Sequence, residues 1–383
     1  MKKLRIALLT FIILINGVFA AGCWNYKEID KLSIVAGVAV DKGIDYNFQV
    51  TAEVVDISTG RDSKITSKTI TAEGKTMFDA ARNMISLFGK RLYWGHAKVI
   101  ILSKEIAGEG VTRVIDWYNR DSETRDSVHI LVSREESAKE ILEQGAPEDI
   151  KSFTLDEIIR NEVSLSKAPA IDILTFDIES KTKGISEIVP AVHLKKSDGE
   201  FIPELIGTAI IKNDKLAGFL NGEETKDLIF IRNKVKGGVL NEEIKANGKT
   251  SFYSLEIFKN KTKVTPAADG KNIEINLNID TTVAIDEIYG IKNFSDEKEL
   301  MKMEESAENT LRARIESLIK KMQLEYDADI FGFGEKLREN KVKAWNSVSN
   351  NWDETFKYLK VNVKTRMHIK NSALLSKTLK EGD

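Results

Sequence analysis

Near the C-terminal end, Ile273, Ile275, Leu277 and Ile279 alternate strictly with Glu274, Asn276 and Asn278. A period of two describes a β-strand with one dry and one wet face. A stretch of helical period follows, in which Leu300, Ala307, Leu311, Ile315, Leu318 and Met322 fall on one stripe. Ser295 is placed to cap it, and Asp296 and Glu297 suit its first turn. About 28 residues at 1.5 Å each span roughly 42 Å. Val361, Val363, Thr365, Met367 and Ile369 then alternate again. Strands flanking one long amphipathic helix restrict this part of the chain to an α+β layer, with the helix stripe packed as core.

The rest of the chain reads as strands and helices in mixture. Leu32 to Val40 is a β-branched run apolar on both faces, closed by the turn residues Asp41-Lys42-Gly43, and Phe48, Val50, Ala52 and Val54 alternate after it, so a hairpin with a central first strand is expected. Met77, Ala80, Ala81, Met84, Ile85 and Phe88 have helical spacing, with Gly89 as a stop. Lys98–Leu102 and Val128–Val132 read as strands around a helical stretch from Gly110 to Arg120, and more helical character runs from Ala146 to Asp198. Leu205–Ile211 and Leu216–Leu220 form a hairpin about Asn213-Asp214-Lys215, and Leu228–Ile231 and Val235–Leu240 are read as further short strands. Polar breaks at Lys195–Gly199 and Asn247–Lys249 divide the chain into 1–22, an N-terminal α+β domain 23–197, a small β-rich domain 198–247 and a C-terminal α+β domain 248–377. The expected fold class is α+β, three-domain, with mixed and antiparallel sheets flanked by helices.

The N-terminus has a separate logic. Lys2, Lys3 and Arg5 precede an apolar run from Ile6 to Ile15 that is too short to cross a bilayer comfortably, and small residues lead to Gly22-Cys23. Together these read as an export signal, and small residues before a cysteine resemble a bacterial lipobox, which implies cleavage between Gly22 and Cys23 and a diacylglyceryl group on the Cys23 sulfur. Ala20 stands where lipoboxes usually carry leucine. Cys23 is the single cysteine of 383 residues, so no disulfide is available and the cores must hold by packing. Removing residues 1–22, with three positive charges and no negative ones, takes the formal net charge from -2 to -5. Nothing basic in bulk remains to follow a nucleic acid backbone.

Catalytic and metal patterns are missing. His96, His129, His193 and His368 include no close pair, which leaves no zinc site of ordinary spacing. His96 is read as a capping or core histidine and His368 as a solvated residue on a polar strand face. Gly332-Phe333-Gly334 lacks the lysine of a phosphate loop and the third glycine of a dinucleotide fold, and reads better as a tight turn with Phe331 and Phe333 packed inward. The paired acids Glu135-Glu136 and Glu304-Glu305 read as exposed helix faces. Trp345, Trp352 and Phe356, at spacings of seven and four, would share one helix face, either as core or as a contact for a partner subunit.

Several motifs in order resemble one family: Cys23-Trp24-Asn25 with Glu28-Ile29, the run Ile34 to Lys42, Leu92-Tyr93-Trp94-Gly95-His96, Asp329-Ile330-Phe331-Gly332-Phe333-Gly334, and Trp345 with Trp352 and Phe356. Together they resemble the Ger(x)C family, the lipoprotein C subunits of nutrient germinant receptors. The resemblance implies a non-enzymatic three-domain protein with no cofactor beyond its lipid, held on the outer face of the spore inner membrane beside integral A and B subunits. It argues against direct nutrient binding by this chain. Lys341-Val342-Lys343-Ala344-Trp345 departs from the family by lacking a proline before the tryptophan. The rival expectation is a solute-binding lipoprotein that delivers a small ligand to a transporter, which requires two similar lobes around a cleft.

Overall fold

The computed structural model describes residues 2–7, 10–11, 32–57, 64–144, 149–162, 164–246, 249–269, 272–289 and 297–370. Gly22, Cys23, Ser295 and Asp296, named above for cleavage, lipidation and capping, lie outside them.

Two sheets carry the α+β architecture. The first has nine strands: β1 (Leu32–Asp41), β2 (Phe48–Ile57), β3 (Ile65–Gly74), β4 (Arg91–Tyr93), β5 (Val99–Leu102), β6 (His129–Ser133), β7 (Ile188–Ser197), β8 (Glu200–Lys212) and β9 (Lys215–Leu220). Their order is β3-β2-β1-β5-β6-β7-β8-β9, with the short β4 beside the start of β1. The inner strands β1, β5, β6 and β7 are parallel, and antiparallel hairpins extend the sheet at both ends. Parallel inner strands need both faces covered. The chain supplies the cover with α1 (Met77–Phe88), α2 (Lys104–Glu109) and α3 (Thr112–Arg120) on one side, and α4 (Glu140–Glu143) and α5 (Lys151–Glu162) on the other. Val38 and Val40 of β1 face the first group and Ala39 the second, all fully buried, as the two-sided apolar run required. α1 begins at Thr76, whose side chain accepts from Asp79 N–H, and stops at Gly89.

The second sheet holds β10 (Val239–Ala246), β11 (Lys249–Asp269), β12 (Asn272–Tyr289) and β13 (Lys360–Lys370) in that order. The first three are antiparallel and β13 joins β12 in parallel. α8 (Glu297–Lys321), continued by a π-turn over Met322–Tyr326, lays Met303, Ala307, Leu311, Ile315, Leu318 and Met322 on the inner face, where Leu277, Ile279 and Val363 wait. Helical spacing predicts nearly this stripe. Burying one such leucine contributes about 1.5–3 kcal/mol.

Some local expectations fail for identifiable reasons. Leu228–Ile231 belongs to a helix, α7 (Gly222–Ile231), because Asn221 and Glu224 form a reciprocal capping box that starts the helix six residues before the apolar run. A four-residue apolar run has no period of its own to choose between strand and helix. Residues 198–247 are shared out: β8 and β9 complete the first sheet, α7 crosses, and β10 opens the second. His96 is exposed, with its ring edge-on to Tyr93 at 5.5 Å, because the turn at Trp94–His96 aims Trp94 inward instead. Glu304 is half-buried: it and Glu308 accept from the N–H groups of Ile369 and Met367, each at 2.8 Å, and so occupy donors on the outer edge of β13. An edge strand left open invites pairing with another chain.

Candidate functional site

The place where the two sheets meet is built on one carboxylate. Asp329 follows the π-turn and is 2 % exposed. Its Oδ1 accepts from the N–H groups of Phe331, Gly332 and Phe333 at 3.0–3.2 Å, and its Oδ2 accepts from Gly334 N–H at 2.8 Å and from Trp352 Nε1 at 3.2 Å. Three of those donors are the free N–H groups at the start of α9 (Phe333–Asn340), where a negative charge is favoured. Burial nevertheless pushes the Asp329 carboxyl up to about 6, against the pull of the donors. Phe331 and Phe333 point inward, as the tight-turn reading required, with ring centroids 5.1 Å apart.

Around this turn the three aromatic positions singled out in the sequence come together. Trp345 lies on α10 (Val342–Val348), and Trp352 and Phe356 on α11 (Trp352–Lys357), so two short helices rather than one carry the stripe. Trp345 and Trp352 are 5.5 Å apart, Trp352 and Phe356 6.5 Å, and all three are buried. Their surface is spent on the chain's own core; what remains for a partner is small.

The first sheet reaches the same turn through the segment after α6 (Ile173–Lys181). Gly184 and Gly334 stand back to back. A Cβ on Gly184 would meet Gly334 carbonyl carbon at 2.6 Å, and a Cβ on Gly334 would meet Trp352 at 2.6 Å and Gly184 Cα at 2.7 Å. Gly184 also has φ +85°, a left-handed conformation that side chains disfavour. Two backbone hydrogen bonds cross here, Ser186 N–H to Asp329 and Glu335 N–H to Gly184. Arg232, just past α7, donates to Ile330 carbonyl at 2.6 Å and to Glu179 at 2.7 Å. Lys212 bonds Asp327.

A second clasp joins α7 to α8. Arg314 holds Asp227 with two bonds, at 2.7 and 3.2 Å, and Lys321 holds Glu224 at 2.7 Å. Burial raises Asp227 to about 6 and the neighbouring Glu242 to about 7, Arg314 opposing both. Among the described residues no group of three or more His, Cys, Asp or Glu side chains could hold a metal, and the four histidines stay apart. The seam joins the two sheets through backbone hydrogen bonds, close glycine contacts and partly buried ion pairs. Sequence reasoning picks out the 329–334 turn and the aromatics but misses Gly184, the Arg232–Glu179 pair and the Asp227–Arg314 clasp, whose partners lie 53 and 87 positions apart with no local signal.

Both halves of the seam match known sequence families. Residues 25–194 match the model described as spore germination protein N-terminal domain, and residues 206–373 match the model described as spore germination B3/GerAC like, C-terminal. The chain belongs to the Ger(x)C family of spore germination proteins. The junction of the two matches falls in the β7–β8 hairpin, so β8 and β9 complete the first sheet from the C-terminal family segment. Ger(x)C relatives in Bacillus subtilis (strain 168) include spore germination protein B3, 27% identical over 88% of this chain and 90% of that protein, and spore germination protein KC, 21% identical over 98% of each. The crystal structure of the GerBC protein superposes with a TM-score of 0.56 at 22% identity, covering 88% of this chain and 97% of that one, which establishes the common fold.

Proposed function

We propose that this chain is the membrane-anchored lipoprotein subunit of a nutrient germinant receptor, and that it works through protein contacts without covalent chemistry. As a Ger(x)C protein it has a role in spore germination. The observation that carries the finer reading is the coincidence of a lipobox-like Gly22-Cys23 site with family matches running from residue 25 to residue 373. No described helix is long and apolar enough to cross a membrane, so attachment in this reading falls to a diacylglyceryl group on Cys23. Two acyl chains suffice for stable anchoring where one does not. The partners are the integral A and B subunits, and the site is the outer face of the spore inner membrane. The solute-binding alternative calls for two similar lobes; the nine-stranded and four-stranded sheets here are unlike.

Deleting the gene tests the reading. In a strain without a redundant paralogue, nutrient-triggered loss of spore refractility should fail for at least one nutrient, and an unchanged response to all of them would sink the assignment. Cys23→Ala should release the folded protein from the membrane fraction.

A further inference from the structure

The outer face of the second sheet carries a charge pattern that the seam does not use. Cross-strand register sets it out in rows, since residues directly opposite share a face. Inward rows such as Val264–Leu277–Val363 alternate with outward rows: Lys263–Asn278–Lys364, Lys261–Asp280–Arg366 and Lys259–Thr282–His368. Lys370 continues the series along β13. The outward side chains of β11 and β13 in these rows are exposed, and no described element covers them. Lys360 is held by Glu274 at 3.0 Å, and Asp280 stands between Lys261 and Arg366; the other acids of this face, Glu256, Asp269, Asp286 and Glu287, lie toward its ends. Within the three rows just named, five Lys and Arg face one acid, Asp280, a local excess of positive charge on a chain whose net charge is -2.

The geometry limits what such a face can bind. Cations recur about every 7 Å along a strand and about 5–10 Å across strands, on an open sheet face and not in a groove. A protein interface needs an apolar, well-packed centre, whereas the central rows here are Lys263–Asn278–Lys364 and Lys261–Asp280–Arg366. Two aromatic side chains, Phe252 (52 % exposed) and Phe258 (59 % exposed), stand toward the β10 end of the sheet, where shallow insertion between headgroups would suit them. The open array of phosphates on a leaflet answers an open array of cations. We propose that the outer face of β11, β12 and β13 is a docking surface for anionic phospholipid headgroups, laying the second sheet on the leaflet that holds the N-terminus. The choice of leaflet rests on the anchor reading of Cys23, from which the nine residues to Leu32 reach at most about 30 Å.

The test uses the full-length chain carrying Cys23→Ala, floated with phosphatidylcholine vesicles with and without phosphatidylglycerol. Each cation near an anionic leaflet strengthens adsorption about fivefold. Reversing Lys261, Lys263, Lys364 and Arg366 to Glu should therefore lower partition onto the anionic vesicles by tenfold or more, with no change on neutral ones. High salt should erase the difference. A control reversing Lys75, Lys90, Lys104 and Lys215, all exposed on the first sheet's half, should float like the parent, and matching thermal melts show that each variant folds. Parent protein with no preference for anionic vesicles, or a face variant that floats as the parent does, overturns the proposal. So does a face variant that keeps vesicle binding but drops out of a receptor complex, which assigns the face to an acidic protein. An unmodified Cys23 thiol in protein from native membranes, with vesicle preference intact, removes the anchor and leaves the docking surface standing.

Discussion

The two sheets solve burial in opposite ways. In the first, consecutive residues of β5, Val99 to Leu102, are all fully buried because helices lie on both faces. In the second, Leu277 is fully buried while Asn278 beside it is exposed, because only the inner face is covered. A sheet dry on both sides is committed to its own chain, whereas a sheet wet on one side keeps a surface in hand.

The sharpest way to break that comparison is a charge scan. Ile100→Asp and Ile101→Asp point to opposite faces, and each should prevent folding, since an unpaired buried charge costs several kcal/mol against a total of about 5–15. In β12, Leu277→Asp should do the same and Asn278→Asp should not; soluble yield and circular dichroism distinguish them. If Ile100→Asp and Ile101→Asp differ as Leu277→Asp and Asn278→Asp do, the two-sided description of the first sheet is wrong.

Asp329→Ala comes next. It strands four backbone donors and one indole N–H in a dry turn, and should cost about 3–5 kcal/mol in denaturant melts. Asp329→Asn retains acceptors on one side only and should fall between.

Glu242 offers a pH test of the clasp. Burial raises its folded pKa to about 7 from an ordinary value of 4.5, so between those values the folded state holds a proton that the unfolded state has lost. Stability from this group is therefore present at low pH and declines as pH rises toward 7. The Glu242→Gln variant lacks that titration. Between pH 8 and pH 5 the stability gap should shift toward the parent by on the order of 2 kcal/mol, and a constant gap would show that Glu242 titrates normally. His129, whose pKa burial lowers, moves the other way in both proteins and cancels in the difference.

The smallest effect belongs to the wet face. Lys364→Ala should change the melting free energy by no more than about 0.5 kcal/mol, as for most exposed positions. A larger loss would mean that the face is packed and not free.

Period alone makes part of the second sheet legible: the alternation in β12 and β13 and the α8 stripe hold in the fold almost residue for residue, whereas β11 has no counterpart in the sequence reading. The two-sided run of β1 likewise marks a central strand. Short apolar runs are opaque, as α7 illustrates, because only its capping residues, Asn221 and Glu224, carry the decision. The seam is half readable. Asp329 and the aromatics share a local motif, but their partners Gly184 and Ser186 are contributed by distant chain, and close approach of two backbones leaves no mark beyond a glycine among 24.

That contact between Gly184 and Gly334 binds the history of two distant positions into one. A lone methyl at either site collides with main chain, which no rotamer change can relieve, so neither site can drift first and wait for the other. Gene shuffling that pairs an N-terminal half from one lineage with a C-terminal half from another must bring both bare positions along, or the hybrid will not close.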